Sequence, residues 1–139
     1  MILIDTNIVS EVMRPSPAST VVNWLNNQDS QRLYLSVISI TEIGYGLRLL
    51  PNGSRRHQLS ERFDHFVEAA FGQRVLNFDQ KAAHAYADIM GHRKEIGRPM
   101  SVPDGQIAAV ARAHGFAVAT RNAKDFEMCD LQIINPFEG

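Results

Sequence analysis

Acidic residues lie at several points of this chain where a parallel α/β protein gathers its ligands. Asp5 follows a short apolar run, while Glu42 and Asp104 lie near predicted helix starts. Ligands of open parallel sheets bind outside the carboxyl ends of the strands. Carboxylates that converge there repel one another unless a cation lies among them, and oxygen ligands with few histidines suit Mg²⁺ or Mn²⁺. The residue types therefore predict a metal-dependent site.

Asp5 stands directly after Ile2-Leu3-Ile4, a run that is typical of a strand buried on both faces. A carboxylate so close to a buried strand costs free energy unless it is paired, hydrogen-bonded or bound to metal. Capping of a helix that begins at Thr6 or Asn7 explains Asp5 equally well. Taken alone, this residue leaves both interpretations open.

Glu42 ends the segment Ser39-Ile40-Thr41-Glu42, which has the form of a capping box. Ser39 is predicted to cap a helix over 39–50, and Glu42 to bond back to it from the third helical position. The box accounts for Glu42 without a catalytic role, so capping is the favoured interpretation of this residue alone.

Asp104 follows Ser101-Val102-Pro103, where Ser101 is predicted to cap a helix and Pro103 suits an early helical position. Spacing of three and four residues places Asp104 on the same helix face as a set of apolar residues that should be buried: Ile107, Ala108 and Ala111. A carboxylate at the end of a buried stripe favours a functional role over a surface cap.

A further polar group follows the apolar segment Ala117–Ala119. It comprises Thr120-Arg121-Asn122, with Asp125 three residues later. One interpretation is a turn in which Asn122 caps a short helix. The other places Asn122 or Asp125 at the same sheet edge as Asp5.

The elements that must position these residues alternate between short apolar runs and helical patterns. Strands are predicted over 2–4, 33–35, 75–78, 117–119 and 131–134, and helices over 8–13, 18–27, 39–50, 55–71, 80–96 and 101–114. Asp79 is predicted to cap the fifth helix, and Gly115 to end the sixth. This alternation predicts an α/β fold in which helices flank a parallel sheet.

Composition limits the class of protein. The 139 residues predict a single domain over 1–139, and 45% hydrophobic with 21% charged residues favours a folded chain. A net charge of −1 excludes a generally basic surface, so any RNA must be bound through local patches and a metal. One cysteine excludes an internal disulfide. The absence of a signal-like leader or a long apolar run predicts a cytoplasmic protein with no membrane contact.

The ordered set of motifs resembles a PIN domain, and more narrowly a VapC-type toxin of bacterial type II toxin–antitoxin pairs. The resemblance covers residues 2 to about 137. It is carried by Asp5-Thr6-Asn7 after an apolar strand, Thr41-Glu42, Asp104-Gly105-Gln106-Ile107-Ala108, and Ala119-Thr120-Arg121-Asn122 with Asp125-Phe126.

This resemblance implies a three-layer fold with a five-stranded parallel sheet of order 3-2-1-4-5. It implies an endoribonuclease that cleaves single-stranded RNA, including tRNA loops, by a metal-activated water. The implied partners are a VapB-like antitoxin and a second copy of the chain in a homodimer, with DNA contacted only through the antitoxin.

The resemblance also implies roles for individual residues. Asp5, Glu42 and Asp104 would hold Mg²⁺ or Mn²⁺ and form the catalytic set with Asn122. The fourth acidic position of the family is often aspartate, so either Asn122 serves as a neutral ligand or Asp125 supplies the charge, and the number of metal ions stays open. Polar positions of the motifs are matched by Thr6, Asn7 and Thr120.

Cationic side chains next to this site are the best candidates for RNA contact. Arg121 and Lys124 neighbour the acidic positions in sequence, whereas most other basic residues are predicted to lie on solvated helix faces. An apolar groove for an antitoxin helix is predicted from Met13, Tyr45, Leu49 and Leu50, although ordinary core packing also explains these residues.

Other classes of protein compete with this interpretation. A phosphoaspartyl enzyme, such as a haloacid-dehalogenase-like phosphatase, would use Asp5 as its nucleophile but requires a second aspartate where Asn7 stands. A receiver-like domain would need an acidic pair and a lysine that are not evident. A PIN-like domain that only binds a partner or RNA stays open because of Asn122.

Overall fold

Strands and helices alternate along the computed structural model, which describes residues 1–138. The strands are β1 Ile2–Ile4, β2 Leu33–Ser36, β3 Val75–Leu76, β4 Ala117–Ala119 and β5 Ile133–Ile134. The α-helices are α1 Thr6–Val12, α2 Ser19–Asn26, α3 Val37–Arg48, α4 Ser54–Ala70, α5 Gln80–Glu95 and α6 Val102–His114. Short 3₁₀ helices span Ser30–Arg32 and Ala123–Phe126.

The strands form one parallel sheet of order β3-β2-β1-β4-β5, which confirms the predicted order. In chain order, β2 and β3 are added on one side of β1, and β4 and β5 are then added on its other side. The strand order therefore reverses between β1 and β4, the kind of place where open parallel sheets bind ligands. Asp5 lies at this point, and its N–H donates to the Ala119 carbonyl at 2.9 Å.

Helices cover both faces of the sheet because β1 and β4 send alternate side chains into two cores. One core lies against α5 and α6 and includes Leu3, Ile89, Ile107, Val118 and Phe126. The other lies against α1, α2 and α4 and includes Ile4, Ile8, Val21, Leu35 and Phe63. The predicted three-layer arrangement is confirmed. Within residues 1–138, no helix is long and apolar enough to cross a membrane.

Local capping signals were reliable at three helix ends. The Asp79 side chain accepts from the Ala82 N–H at 2.9 Å, and the Ser101 hydroxyl accepts from the Asp104 N–H at 3.3 Å. Gly115 ends α6 with a left-handed φ of 71°, which glycine adopts without strain. These caps confirm the predicted starts of α5 and α6 and the predicted end of α6.

The predicted capping box at Ser39 and Glu42 is wrong. Helix α3 begins at Val37, directly after β2, and Ser36 is its N-cap residue. Ser39 is therefore the third helical residue and is fully buried, while Glu42 is the sixth. Because β2 runs into α3 without a loop, the helix starts at the sheet edge, earlier than the box pattern indicates.

Two smaller predictions also differ from the structure. Asn122 precedes the 3₁₀ segment Ala123–Phe126, but its side chain makes no capping hydrogen bond. The edge strands β3 and β5 contain only two residues each, whereas four were predicted for each. An edge strand has a neighbouring strand on one side only, so fewer of its residues make the inter-strand hydrogen bonds that define a strand.

Gly105 allows α5 to pack closely against the start of α6. A Cβ at this position would collide with Met90 Sδ and lie 3.2 Å from Tyr86 Cε2. We expect Gly105→Ala to lower the free energy of unfolding by about 1–3 kcal/mol, because overpacking outweighs the higher helix propensity of alanine. Urea unfolding measures this, with Gly91→Ala as the matched control on α5.

The control glycine has nothing within 4 Å of the added Cβ. Gly91→Ala is therefore expected to leave stability unchanged or to raise it by up to about 1 kcal/mol. Equal effects at both glycines would contradict the packing role of Gly105.

Candidate active site

Asp5 is held at the carboxyl edge of the sheet with only 4% of its surface exposed. Its Oδ1 accepts from the Thr6 N–H at 2.8 Å, and its Oδ2 accepts from the Thr120 hydroxyl at 2.8 Å. Asp5 is also the N-cap residue of α1. Both interpretations of this residue are thus compatible, since a capping carboxylate at a sheet edge still presents oxygen lone pairs to a ligand.

Burial raises the pKa of Asp5 to about 6, because the ionised form loses its hydration. The hydrogen bonds from Thr120 and Thr6 act in the opposite direction, while the charges of Asp104 and Glu42 raise the pKa further. Near neutral pH the site therefore carries negative charge that the protein itself compensates only in part.

Glu42 reaches the end of β1 from the middle of α3. The Thr6 hydroxyl donates to Glu42 Oε1 at 2.7 Å, and the Ser39 hydroxyl lies 2.8 Å from Thr6 Oγ1. Thr6 thus bridges two acids, because its N–H binds Asp5 and its side chain binds Glu42. This contact, across 36 residues of sequence, replaces the predicted local capping role of Glu42.

Asp104 lies half-buried in the first turn of α6. Burial raises its pKa, the Ser101 hydroxyl acts against this, and the charges of Asp125 and Glu42 raise it further. The structure therefore brings Asp5, Glu42 and Asp104 into one electrostatic cluster. Asp125 is exposed but close enough for its charge to act on Asp104.

Thr120 connects the ends of β1 and β4. While its hydroxyl donates to Asp5, it accepts from Asn7 Nδ2 at 3.3 Å and from the Asn122 N–H at 3.1 Å. Asn7 Oδ1 accepts in turn from the Arg121 N–H at 3.2 Å. Thr6 and Thr120 thus bind acidic side chains directly, and Asn7 binds Thr120. Asn122 joins this network through its backbone N–H.

Arg121 is exposed and directly follows Thr120 at the carboxyl end of β4. Its guanidinium lies 4.5 Å from the centre of the Phe137 ring, in a cation–π arrangement. Its Nη1 is also 4.0 Å from Glu11 Oε1, and its carbonyl accepts from Asn135 Nδ2 at 3.2 Å. Lys124 is likewise exposed, in the adjoining 3₁₀ segment.

Two supporting residues were missed in the sequence. Glu11 is buried and accepts from the Ala18 N–H at 2.9 Å, a bond that contributes most to its lowered pKa. The signal was an acid between apolar helical residues. Arg93 is buried and donates to the carbonyls of Asp125 and Glu127, each at 2.9 Å. No local pattern predicts bonds to carbonyls more than 30 residues away.

The donor chemistry of the cluster fits a hard divalent cation. Within residues 1–138, no three or more His, Cys, Asp or Glu side chains form a ready-made metal-binding group. Mg²⁺, however, commonly uses one or two carboxylates together with waters and substrate phosphate oxygens. A cation would also relieve the mutual repulsion that helps to raise the pKa of Asp5 and Asp104.

Comparison with known proteins agrees with this architecture. A family model described as the PIN domain matches residues 2–130. The chain is 44% identical to VapC ribonuclease Y4jK of Sinorhizobium fredii and 39% identical to Toxin FitB of Neisseria gonorrhoeae, with 99% of each chain covered. The crystal structure of FitAcB from Neisseria gonorrhoeae superposes with a TM-score of 0.93 over 100% of both chains, at 39% identity.

With a parallel sheet of this order and acids at its reversal point, the chain belongs to the PIN-domain family. Within that family it groups with the VapC-type ribonuclease toxins, given its identity to them over almost the whole length. The predicted family, fold and enzyme class are confirmed.

Proposed function

We propose that this chain is the toxin of a type II toxin–antitoxin pair and hydrolyses single-stranded RNA with Mg²⁺ or Mn²⁺. The observation that carries the proposal is the buried Asp5 at the point where strand order reverses, whose pKa is raised by burial and raised further by the charges of Asp104 and Glu42. The names of the relatives, a VapC ribonuclease and a toxin, support the same reaction and biological role.

In this proposal Asp5, Glu42 and Asp104 hold the cation. When bound, such a cation neutralises phosphate charge and lowers the pKa of a coordinated water. Thr6 and Thr120 keep the carboxylates oriented through the hydrogen bonds given above. Hydrolysis forms a bond from the water oxygen to phosphorus and breaks the bond from phosphorus to the leaving ribose oxygen. Ser39 is not a nucleophile, because its hydroxyl is fully buried and paired with Thr6.

The fourth site position is assigned to two residues with different tasks. We propose that Asp125 supplies the remaining negative charge, since that charge already acts on Asp104. Asn122 is exposed, and its backbone is fixed by Thr120. Its amide is proposed as a neutral ligand or water contact.

The proposed partner is a VapB-like antitoxin, with DNA contacted only through it. The solved relatives include a FitAB complex bound to a DNA fragment, at 39% identity and a TM-score of 0.91. A groove of about 450 Å³ offers a surface for an antitoxin helix, with apolar residues Met13, Ile43 and Leu47 and basic residues Arg14, Arg55 and Arg62. Of the residues predicted for such a groove, Met13 lines it and three do not: Tyr45, Leu49 and Leu50. Tyr45 and Leu49 are each 66% exposed.

Other parts of the sequence-based interpretation stay predictions. They are a single domain over 1–139, the homodimer, the cytoplasmic location and cleavage within tRNA loops. A tRNA target is supported by one relative, the tRNA(fMet)-specific endonuclease VapC of Shigella flexneri, which is 29% identical over 126 residues.

The direct test is cleavage of end-labelled single-stranded RNA by the purified chain in Mg²⁺, Mn²⁺ or EDTA. We expect discrete products with either cation and none in EDTA. Full cleavage in EDTA would exclude the metal-dependent mechanism. Absence of cleavage and of any Mn²⁺-linked rise in melting temperature would favour the alternative, a PIN-like domain that only binds RNA or a partner.

Arg121→Ala is expected to weaken RNA binding by about 3- to 10-fold, mainly through KM, because its exposed side chain follows the carboxyl end of β4 and is proposed as a phosphate contact. The slope of log affinity against log salt should fall by about 1. Arg32→Ala is the matched control, since Arg32 is exposed at the amino end of β2, on the opposite edge of the sheet. Equal losses in both variants would refute a specific role for Arg121.

A further inference from the structure

A fully buried serine stands behind the acidic cluster. Ser39 lies in the first turn of α3 with 0% of its surface exposed, and it makes no helix cap. Its hydroxyl oxygen is 2.8 Å from Thr6 Oγ1, and Thr6 Oγ1 is 2.7 Å from Glu42 Oε1. Three side chains thus form a short line of hydrogen bonds that ends on a proposed metal ligand.

Counting protons gives this line a direction. An ionised carboxylate only accepts hydrogen bonds, and a hydroxyl has a single proton to donate. Thr6 must donate its proton to Glu42, so the bond between the two hydroxyls requires Ser39 to donate to Thr6. Each bond of such a chain polarises the next, which strengthens the bond that reaches Glu42.

We propose that Ser39 is a positioning residue for the metal site. By donating to Thr6 it holds the Thr6 hydroxyl in the orientation that points its proton at Glu42, and so keeps Glu42 Oε1 at the sheet edge beside Asp5. This inference rests on the proposed metal-dependent function and deepens it, because it assigns a role to a residue that never contacts the substrate.

The same helix start provides a matched control. Ser36 is also a serine with 0% exposure, three residues earlier, but its hydroxyl has no hydrogen-bond partner within residues 1–138. Removing the Ser36 hydroxyl breaks no bond, whereas removing that of Ser39 breaks the first bond of the line. The two alanine variants therefore separate hydrogen bonding from the effect of truncating a buried side chain.

The experiment compares Ser39→Ala, Ser39→Thr and Ser36→Ala in the full chain by two readouts. In metal-free protein, three-bond NMR couplings to Thr6 Cγ2 report its χ1 rotamer. In Mn²⁺ titrations, the rise in melting temperature gives the metal affinity. We expect Ser39→Ala to average the Thr6 rotamer, to weaken Mn²⁺ binding by about tenfold and to lower kcat with little change in KM.

The controls define what overturns the proposal. Ser36→Ala should match the wild type in every readout, and Ser39→Thr should restore the wild-type values because it keeps the hydroxyl. If Ser39→Ala fails to fold, Ser39→Cys is used instead, because the thiol has a similar volume but is only a weak hydrogen-bond donor. Unchanged Thr6 couplings and Mn²⁺ affinity in the Ser39 variant would overturn the positioning role while the proposed function stands. A wild type that neither binds Mn²⁺ nor requires metal would overturn both.

Discussion

Asp104→Asn is expected to lower metal-dependent RNA cleavage by about 100-fold or more, which exceeds the usual loss from a residue that only supports a ligand. The substitution removes a negative charge from the cluster that includes Glu42 and Asp125. Asparagine has nearly the same shape and keeps the backbone N–H that donates to Ser101. Its side-chain oxygen can also still accept from the Ser101 hydroxyl, whose hydrogen bond lowers the pKa of Asp104. Single-turnover cleavage of labelled RNA in Mg²⁺ and Mn²⁺ measures the loss.

A matched control for this variant lies on the neighbouring helix. Asp88→Asn also neutralises one carboxylate, but Asp88 is exposed on α5 and pairs with Arg112 at 2.7 Å. Exposed pairs of this kind contribute little to stability, so folding and cleavage should stay close to wild type. Cleavage by Asp104→Asn within threefold of the Asp88 variant would contradict the assignment of Asp104.

Asp5 is expected to make the metal-free protein less stable as the pH rises from about 4 to about 6. The folded-state pKa of about 6 lies above the ordinary value of 3.8, so the folded protein binds more protons than the unfolded chain in this window. The penalty from this group is absent below pH 4 and complete above pH 6. A difference of about two pKa units corresponds to about 3 kcal/mol.

Comparison of the wild type with Asp5→Asn isolates this contribution. Glu11, whose pKa is lowered, changes stability in the opposite direction but acts equally in both proteins, because it lies outside the acidic cluster. Asp104, whose pKa is also raised, is relieved of the Asp5 charge in the variant, which adds to the difference between the two proteins in the same direction. The side-chain amide introduced at position 5 would face a Thr120 hydroxyl that already accepts two hydrogen bonds. This contact changes the free energy of unfolding of the variant by the same amount at every pH. Urea unfolding in EDTA at several pH values should therefore give curves that diverge between pH 4 and 6. Parallel curves would contradict the raised pKa of Asp5.

Metal should reverse the trend. Divalent cations bind the ionised carboxylates, so Mn²⁺ is expected to stabilise the wild type increasingly as the pH rises through about 6. Asp5→Asn should show little of this gain in stability and should lose RNA cleavage, because the oxygen that is proposed to bind the cation would no longer carry charge.

The sheet order was implied by the resemblance to the PIN domain, since strand order depends on pairing between distant segments and not on local patterns. Local signals did predict that Asp5 follows a strand and that Asp104 lies in the first turn of a helix. An apolar strand precedes Asp5, and a cap with an early proline precedes Asp104. The start of α3 was mispredicted because the box pattern at Ser39 is local, whereas the helix begins at Val37, where β2 reaches the sheet edge. Glu42 was likewise explained by a local box, whereas its observed partner is Thr6 in a different element.

Arg93 has a consequence for how this active site tolerates change. Its guanidinium binds main-chain oxygens of residues 125 and 127, and its Nε donates to the Arg98 carbonyl at 2.6 Å. These hydrogen bonds hold the backbone at residues 125 and 127 without using the side chains at either position. Asp125 can therefore be replaced without loss of this backbone support, so a change in RNA cleavage on its replacement would report on the proposed fourth carboxylate and not on the course of the chain.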